Sequence, residues 1–130
     1  MLRIAVPNKG SLSDATVELL REAGYRTRRD SKELVVTDAE NEVEFFYLRP
    51  RDIAVYVGSG TVDAGVTGRD LLLDSGSGAV EVMSLGFGAS TFRYAGKPGL
   101  VATVEDIAGK RVATSYAGLL RADIASRGLS

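Results

Sequence analysis

The chain has 130 residues, 45% hydrophobic and 25% charged, and its 16 Lys and Arg against 17 Asp and Glu leave a net charge of −1. That is the composition of a globular domain, neither disordered nor membrane-embedded. It contains no Cys and no His, which excludes disulfides, thiolate or imidazole metal sites, a Cys nucleophile and a Ser-His-Asp triad, and leaves carboxylates, Lys, Arg, Tyr and backbone dipoles.

Residues 2–6 form a short apolar run, read as a strand and punctuated by Pro7-Asn8-Lys9-Gly10. The run is too short for a signal-peptide core and lacks its cleavage pattern. The longest uncharged stretch, residues 82–92, has 11 residues, against the ~18 or more needed to span a bilayer. A cytoplasmic protein without membrane contact is the default expectation. A helix is predicted next, capped by Ser11 or Ser13 and stopped by Gly24. Leu12, Ala15, Leu19 and Ala23 would share its buried face, with Asp14, Glu18, Arg21 and Glu22 opposite.

Residues 34–37 and 43–48 are β-rich and read as an antiparallel hairpin across the polar segment 38–42. Pro50 suits the first position of a helix over 51–57, which Gly58 and Gly60 end. A short strand is predicted over 62–66, a turn over 67–70, the start of a helix at 71–73 and another strand over 80–85. Small residues make 86–90 the best internal boundary. Beyond it, strands are expected over 91–95 and 111–115 and helices over 104–108 and 119–126. The alternation indicates an α/β fold with a mixed, largely parallel sheet. The division is a first unit over 1–88 and a second over 89–130, the second one strand short of its pattern, so that the chain reads as a fragment.

Several segments carry chemistry-bearing residues. In Val6-Pro7-Asn8-Lys9-Gly10-Ser11 a strand delivers a loop to a helix N-terminus, where orphan N–H groups and Lys9 favour an anion; the same pattern also describes an ordinary turn with a solvated lysine. Residues 21–32 carry Arg21, Arg26, Arg28, Arg29 and Lys32 against Glu22 and Asp30, a net +3, whereas 33–44 carry five acidic residues and no basic one. Such blocks are solvated faces or, more sharply, a phosphate-facing patch. Nucleic acid is a poor candidate, because the overall charge is slightly acidic and the patch lacks interleaved aromatics. Leu48-Arg49-Pro50-Arg51-Asp52 sets two guanidinium groups between a strand end and a helix start, where open α/β sheets bind ligands. Arg49 is the better phosphate ligand; Arg51 also fits a plain ion pair with Asp52. Gly65 and Gly68 let backbone approach a ligand beside Arg69 and Asp70, and Asp70 either accepts from a ribose hydroxyl or amine or caps its helix. Tyr116 follows a strand end, where it stacks on a heterocycle or only packs.

Residues 2–10, 45–53, 63–70 and 85–88, in that order and spacing, resemble the amino-terminal part of the ATP phosphoribosyltransferases, in their long, actinobacterial form. The resemblance extends over essentially the whole chain. It implies periplasmic-binding-protein-like lobes, the first complete and the second partial, and a glycosyltransferase that opens histidine biosynthesis. That enzyme condenses ATP with phosphoribosyl pyrophosphate, Mg²⁺ being carried by the substrates with no protein metal ligands. It further implies catalytic roles for Arg49, on the pyrophosphate, and for Lys32, reaching a neighbouring subunit's site in a homo-oligomer. Lys9, Gly10, Arg51, Gly68, Arg69, Asp70 and Tyr116 would bind substrate, Asp70 and Tyr116 on the adenosine. The family's acidic, Gly-rich phosphoribosyl-binding loop has no counterpart in these residues, so the chain by itself is expected to be inactive. Tyr116-Ala117 stands where the family more usually has Tyr-Pro. The alternatives are a small-molecule-binding module of periplasmic-binding-protein type and an interaction domain joined through the opposite-signed blocks.

Overall fold

A computed structural model describes residues 1–130. It divides into two compact units, Met1–Gly88 and Ala89–Ser130.

The first unit is a four-stranded sheet in the order β2-β3-β1-β4, built from β1 (Leu2–Pro7), β2 (Val35–Asp38), β3 (Val43–Leu48) and β4 (Ala64–Gly65). β1 runs parallel to β3, with Leu2 opposite Val43 and Pro7 opposite Leu48, and parallel to β4. β2 pairs antiparallel with β3, as the hairpin reading expected. Strand alternation sorts the core onto two faces. Val6, Val36, Val43, Phe45 and Tyr47 pack with Val17 and Leu20 of helix α1 (Ser11–Glu22). Ala5 and Val62 pack on the other face with Ile53 and Val57 of α2 (Pro50–Gly58). Central β1 is therefore covered on both sides, which is why its carboxyl half, Ala5 to Pro7, is wholly apolar and buried. Gly65 is what lets α2 lie this close, since a Cβ there would stand 2.5 Å from Ile53 Cγ2. The unit continues with α3 (Arg69–Ser75).

Three expectations are corrected here. The cap of α1 is Gly10, at φ +89° in the left-handed region glycine favours, and neither Ser11 nor Ser13 caps it. The buried face of α1 is Ser13, Thr16, Val17 and Leu20, one residue round from the predicted stripe, while Leu19 is 40% exposed. Small side chains let the helix close on the sheet, and Thr16 Oγ1 meets its hydrogen-bonding need locally by donating to the Leu12 carbonyl at 2.7 Å. Residues 80–85 form no strand: Val80, Val82 and Met83 are 78%, 93% and 72% exposed. An extended segment becomes a strand only when a neighbour completes its ladder, and none lies beside this one.

The second unit contains a short 3₁₀ turn, Val104–Ile107, and helix α4 (Ala117–Ser126). Thr103 and Asp106 form a reciprocal capping box at the turn. Tyr94 donates its hydroxyl to Asp123, which Arg127 also contacts at 3.0 Å. Residues 91–95 and 111–115, expected as strands, carry no ladder either. No helix is long and apolar enough to cross a membrane.

Asp38 ends β2 and is only 5% exposed. It accepts from the Arg26 N–H at 2.9 Å and from the Asn41 side chain at 2.8 Å and N–H at 3.1 Å, closing the hairpin turn. The Arg26 N–H first, then the Asn41 amide, hold its pKa below the ordinary aspartate value. A carboxylate depressed in the folded state stabilises that state above its unfolded pKa and loses the contribution as pH falls through the folded value. Acidification below about pH 4 is therefore expected to lower the urea midpoint. Asp38→Asn should lower the midpoint at pH 7 and flatten that acid limb, both read by far-UV circular dichroism.

Candidate functional site

The helices after β1 and β3 lie on opposite faces of the sheet although the two strands are adjacent and parallel. That is a topological switch point, and it opens a crevice beyond the carboxyl ends of both strands, where open α/β sheets bind ligands. The chain puts Asn8-Lys9-Gly10 on one side of this crevice and Arg49-Pro50-Arg51 on the other. The Asn8 N–H donates to the Leu48 carbonyl at 2.9 Å, so the first loop is tied to the end of β3. Thr67 Oγ1 donates to the Pro50 carbonyl at 2.9 Å, which brings the loop after β4, with Gly68, Arg69 and Asp70, to the same edge. The segment before β2 arrives there too, since the Tyr47 N–H donates to the Leu34 carbonyl at 2.8 Å.

Electrostatics separate the cations that share this edge. Arg49 is the N-cap residue of α2, and its Nε donates to Asp52 Oδ2 at 2.8 Å. Its two terminal amino groups have no recorded partner in the chain, and its side chain is 73% exposed. Asp52 thus steers the guanidinium by one nitrogen and leaves the outer fork for a bidentate anion. Arg51, which the sequence placed beside Asp52, instead pairs with Asp74 at 2.7 Å, a carboxylate only 6% exposed. The reason is helical geometry: Asp52 lies three residues from Arg49, on the same face, but directly beside Arg51. Arg69 is engaged through Nε and Nη2 by Glu81, the shortest contact being 2.7 Å, and this raises its pKa.

Lys9, Gly10 and Lys32 are exposed. The Lys32 N–H bonds Asp30 Oδ1 at 2.8 Å within a tight turn. Asp70 Oδ1 accepts from the adjacent Leu71 N–H at 2.8 Å, but Asp70 does not cap α3, whose N-cap residue is Gly68. Tyr116, in the second unit, packs edge-to-face on Phe92 with centroids 4.9 Å apart. Shallow grooves border the 26–33 loop, but carboxylates and guanidinium groups mix along them, and neither Lys9 nor Arg49 lines one. The sequence placed Asp52 beside Arg51, not Arg49, and marked Arg28 only as one of its basic block; two contributors, Asp74 and Glu81, each holding an arginine, escaped the sequence reading. Their partners lie on other turns or elements, so no local pattern marks them.

A family model described as HisG, ATP phosphoribosyltransferase, matches residues 49–130. The chain belongs to the ATP phosphoribosyltransferase family. An ATP phosphoribosyltransferase of Pseudarthrobacter chlorophenolicus is 64% identical over 130 residues, all of this chain and 46% of that protein. One of Streptomyces avermitilis is 64% identical over 129 residues, covering 99% of this chain and 45% of its own length. The chain thus spans about half the length of the curated relatives it matches. Among solved structures, the ATP phosphoribosyl transferase (HisG:HisZ) complex from Thermotoga maritima superposes with a TM-score of 0.68 at 22% identity. That likeness covers 99% of this chain and 60% of the matched one, and it supports the mixed α/β fold.

Proposed function

We propose that these residues contribute the first lobe, and part of a second, to an ATP phosphoribosyltransferase with periplasmic-binding-protein-like architecture. In this reaction the C–O bond between ribose C1 and pyrophosphate breaks, the bonding pair leaves with pyrophosphate, and N1 of ATP forms the new bond to C1. Negative charge accumulates on the departing pyrophosphate while the sugar gains oxocarbenium character, so fixed cations at the leaving group lower the barrier most. Arg49, with its outer fork open at the switch point, is the observation that carries this reading. Lys9 and Gly10 would bind phosphate at the N-terminus of α1, and Arg51, Gly68 and Arg69 would line the same edge. Asp70 and Tyr116 would hold adenosine, and Lys32 would reach the site of a neighbouring subunit in a homo-oligomer. Mg²⁺ is proposed to travel with the substrates' phosphates.

The test is a chimera in which residues 1–130 replace the matching part of the P. chlorophenolicus relative. Pyrophosphate release from ATP, phosphoribosyl pyrophosphate and Mg²⁺ is the expected result, and a folded chimera without turnover overturns the reading. The 130-residue chain alone is expected to bind pyrophosphate, measured by calorimetry, and to show no turnover.

A further inference from the structure

Arg28 lies in the basic loop ahead of β2 and makes contacts to three separate segments. Its Nη2 donates to the carbonyl oxygen of Asn8, and Nη1 to the carbonyl oxygen of Ser31 at 3.3 Å. Its guanidinium carbon sits 4.4 Å from the centroid of the Tyr47 ring, and its backbone N–H donates to the Tyr47 hydroxyl at 3.1 Å. Tyr47 is 1% exposed and stands on β3, two residues before Arg49. Unlike Arg49, Arg51 and Arg69, Arg28 pairs with no recorded carboxylate; carbonyl oxygens and an aromatic face hold it and leave its charge uncancelled.

The carbonyl of Asn8 belongs to the same planar peptide unit as the Lys9 N–H, so fixing the oxygen fixes the amide that opens the anion-binding turn. β3 holds the other side of Asn8 through the Leu48 carbonyl. Arg28 is thus the strut between the 8–10 turn and the loop that carries Lys32, with the Tyr47 ring as its floor.

We propose that Arg28 is a positioning residue of the anion site, coupling the 8–10 turn to the 29–33 loop so that Lys9 is held beside Arg49 and Lys32 is held in place to reach the neighbouring subunit's site. The functional half of this inference rests on the reading in the preceding subsection; the coupling itself does not. A lysine keeps the charge but lacks the planar fork, so it cannot bridge two carbonyls over a ring in the same way.

The experiment compares the parent chain with Arg28→Met and Arg28→Lys by amide hydrogen exchange and by calorimetry with pyrophosphate. Four amides report on the strut because each donates a hydrogen bond in the two segments: Asn8 and Ser13 on one side, Lys32 and Glu33 on the other. Both variants are expected to raise exchange at all four by about 10-fold while helix α2 stays unchanged, and to weaken pyrophosphate roughly 10-fold. Faster exchange on one side only, or full restoration by lysine, overturns the coupling. Coupled loosening with parent-like pyrophosphate affinity overturns the positioning role. A parent chain that binds no pyrophosphate counts against the transferase reading instead, and the exchange arm still decides the coupling. Should Arg28→Met fail to fold, Tyr47→Phe removes only the hydroxyl that accepts the Arg28 N–H and should loosen the same four amides by a smaller factor; no change there overturns the proposal.

Discussion

Arg49→Met in the transfer-competent chimera is expected to lower kcat by about 10²–10³, the effect of removing one preorganised donor from developing negative charge. Methionine keeps the apolar stem and removes the fork. KM should change less, because the pyrophosphate gains its extra charge only as the bond breaks. Arg49→Lys should recover part of the loss by charge alone, without bidentate geometry. Asp52→Asn should have a milder effect, because Asp52 reaches the reaction only through the 2.8 Å contact that aims Arg49. Steady-state assays of pyrophosphate release decide the matter. An Arg49→Met chimera that keeps more than a tenth of parental kcat would remove Arg49 from the catalytic role.

Phe45→Ala is expected to cost about 3–5 kcal/mol, the range for deleting a buried aromatic side chain from a close-packed core. Phe45 is 0% exposed and sits on β3 between Ile4 of β1 and Val36 of β2. Its ring meets Tyr25 edge-to-face at 5.7 Å. With a urea slope of about 1–3 kcal/mol/M, the midpoint should fall by roughly 2 M, a large share of the ~5–15 kcal/mol by which ordinary domains are stable. Val82→Ala supplies the contrast. That side chain is 93% exposed, and truncating it should change stability by less than about 0.5 kcal/mol. Equal losses for the two variants would contradict the assignment of residues 80–85 as unpaired.

The proportion of the fold that local pattern reveals differs sharply between the two units. In the first, Gly24, Pro50 and the β-rich composition of residues 43–48 are signals read within a few residues, and each marks the element that forms. In the second, residues 91–95 and 111–115 have strand-like composition without a ladder, because composition reports willingness to pair and not the presence of a partner. The candidate site divides in the same way. Lys9, Gly10 and Arg49 were legible because loops at strand ends are where an α/β sheet exposes backbone and charge. Arg28 was hidden among five basic residues of its block, its partners being Asn8 and Tyr47, 20 and 19 residues distant.

By itself the sequence determined the order of the first unit's elements as far as Ser75, through caps, breakers and composition that act over one or two turns. It also determined the family, through four motifs whose order and spacing are a property of the chain alone. Tertiary structure decided which stripe of α1 is buried, which carboxylate each arginine takes, and which extended segments become strands. Those outcomes depend on contacts between residues far apart along the chain. Burial, ion pairing and strand ladders all need a second surface, and only folding brings that surface within reach.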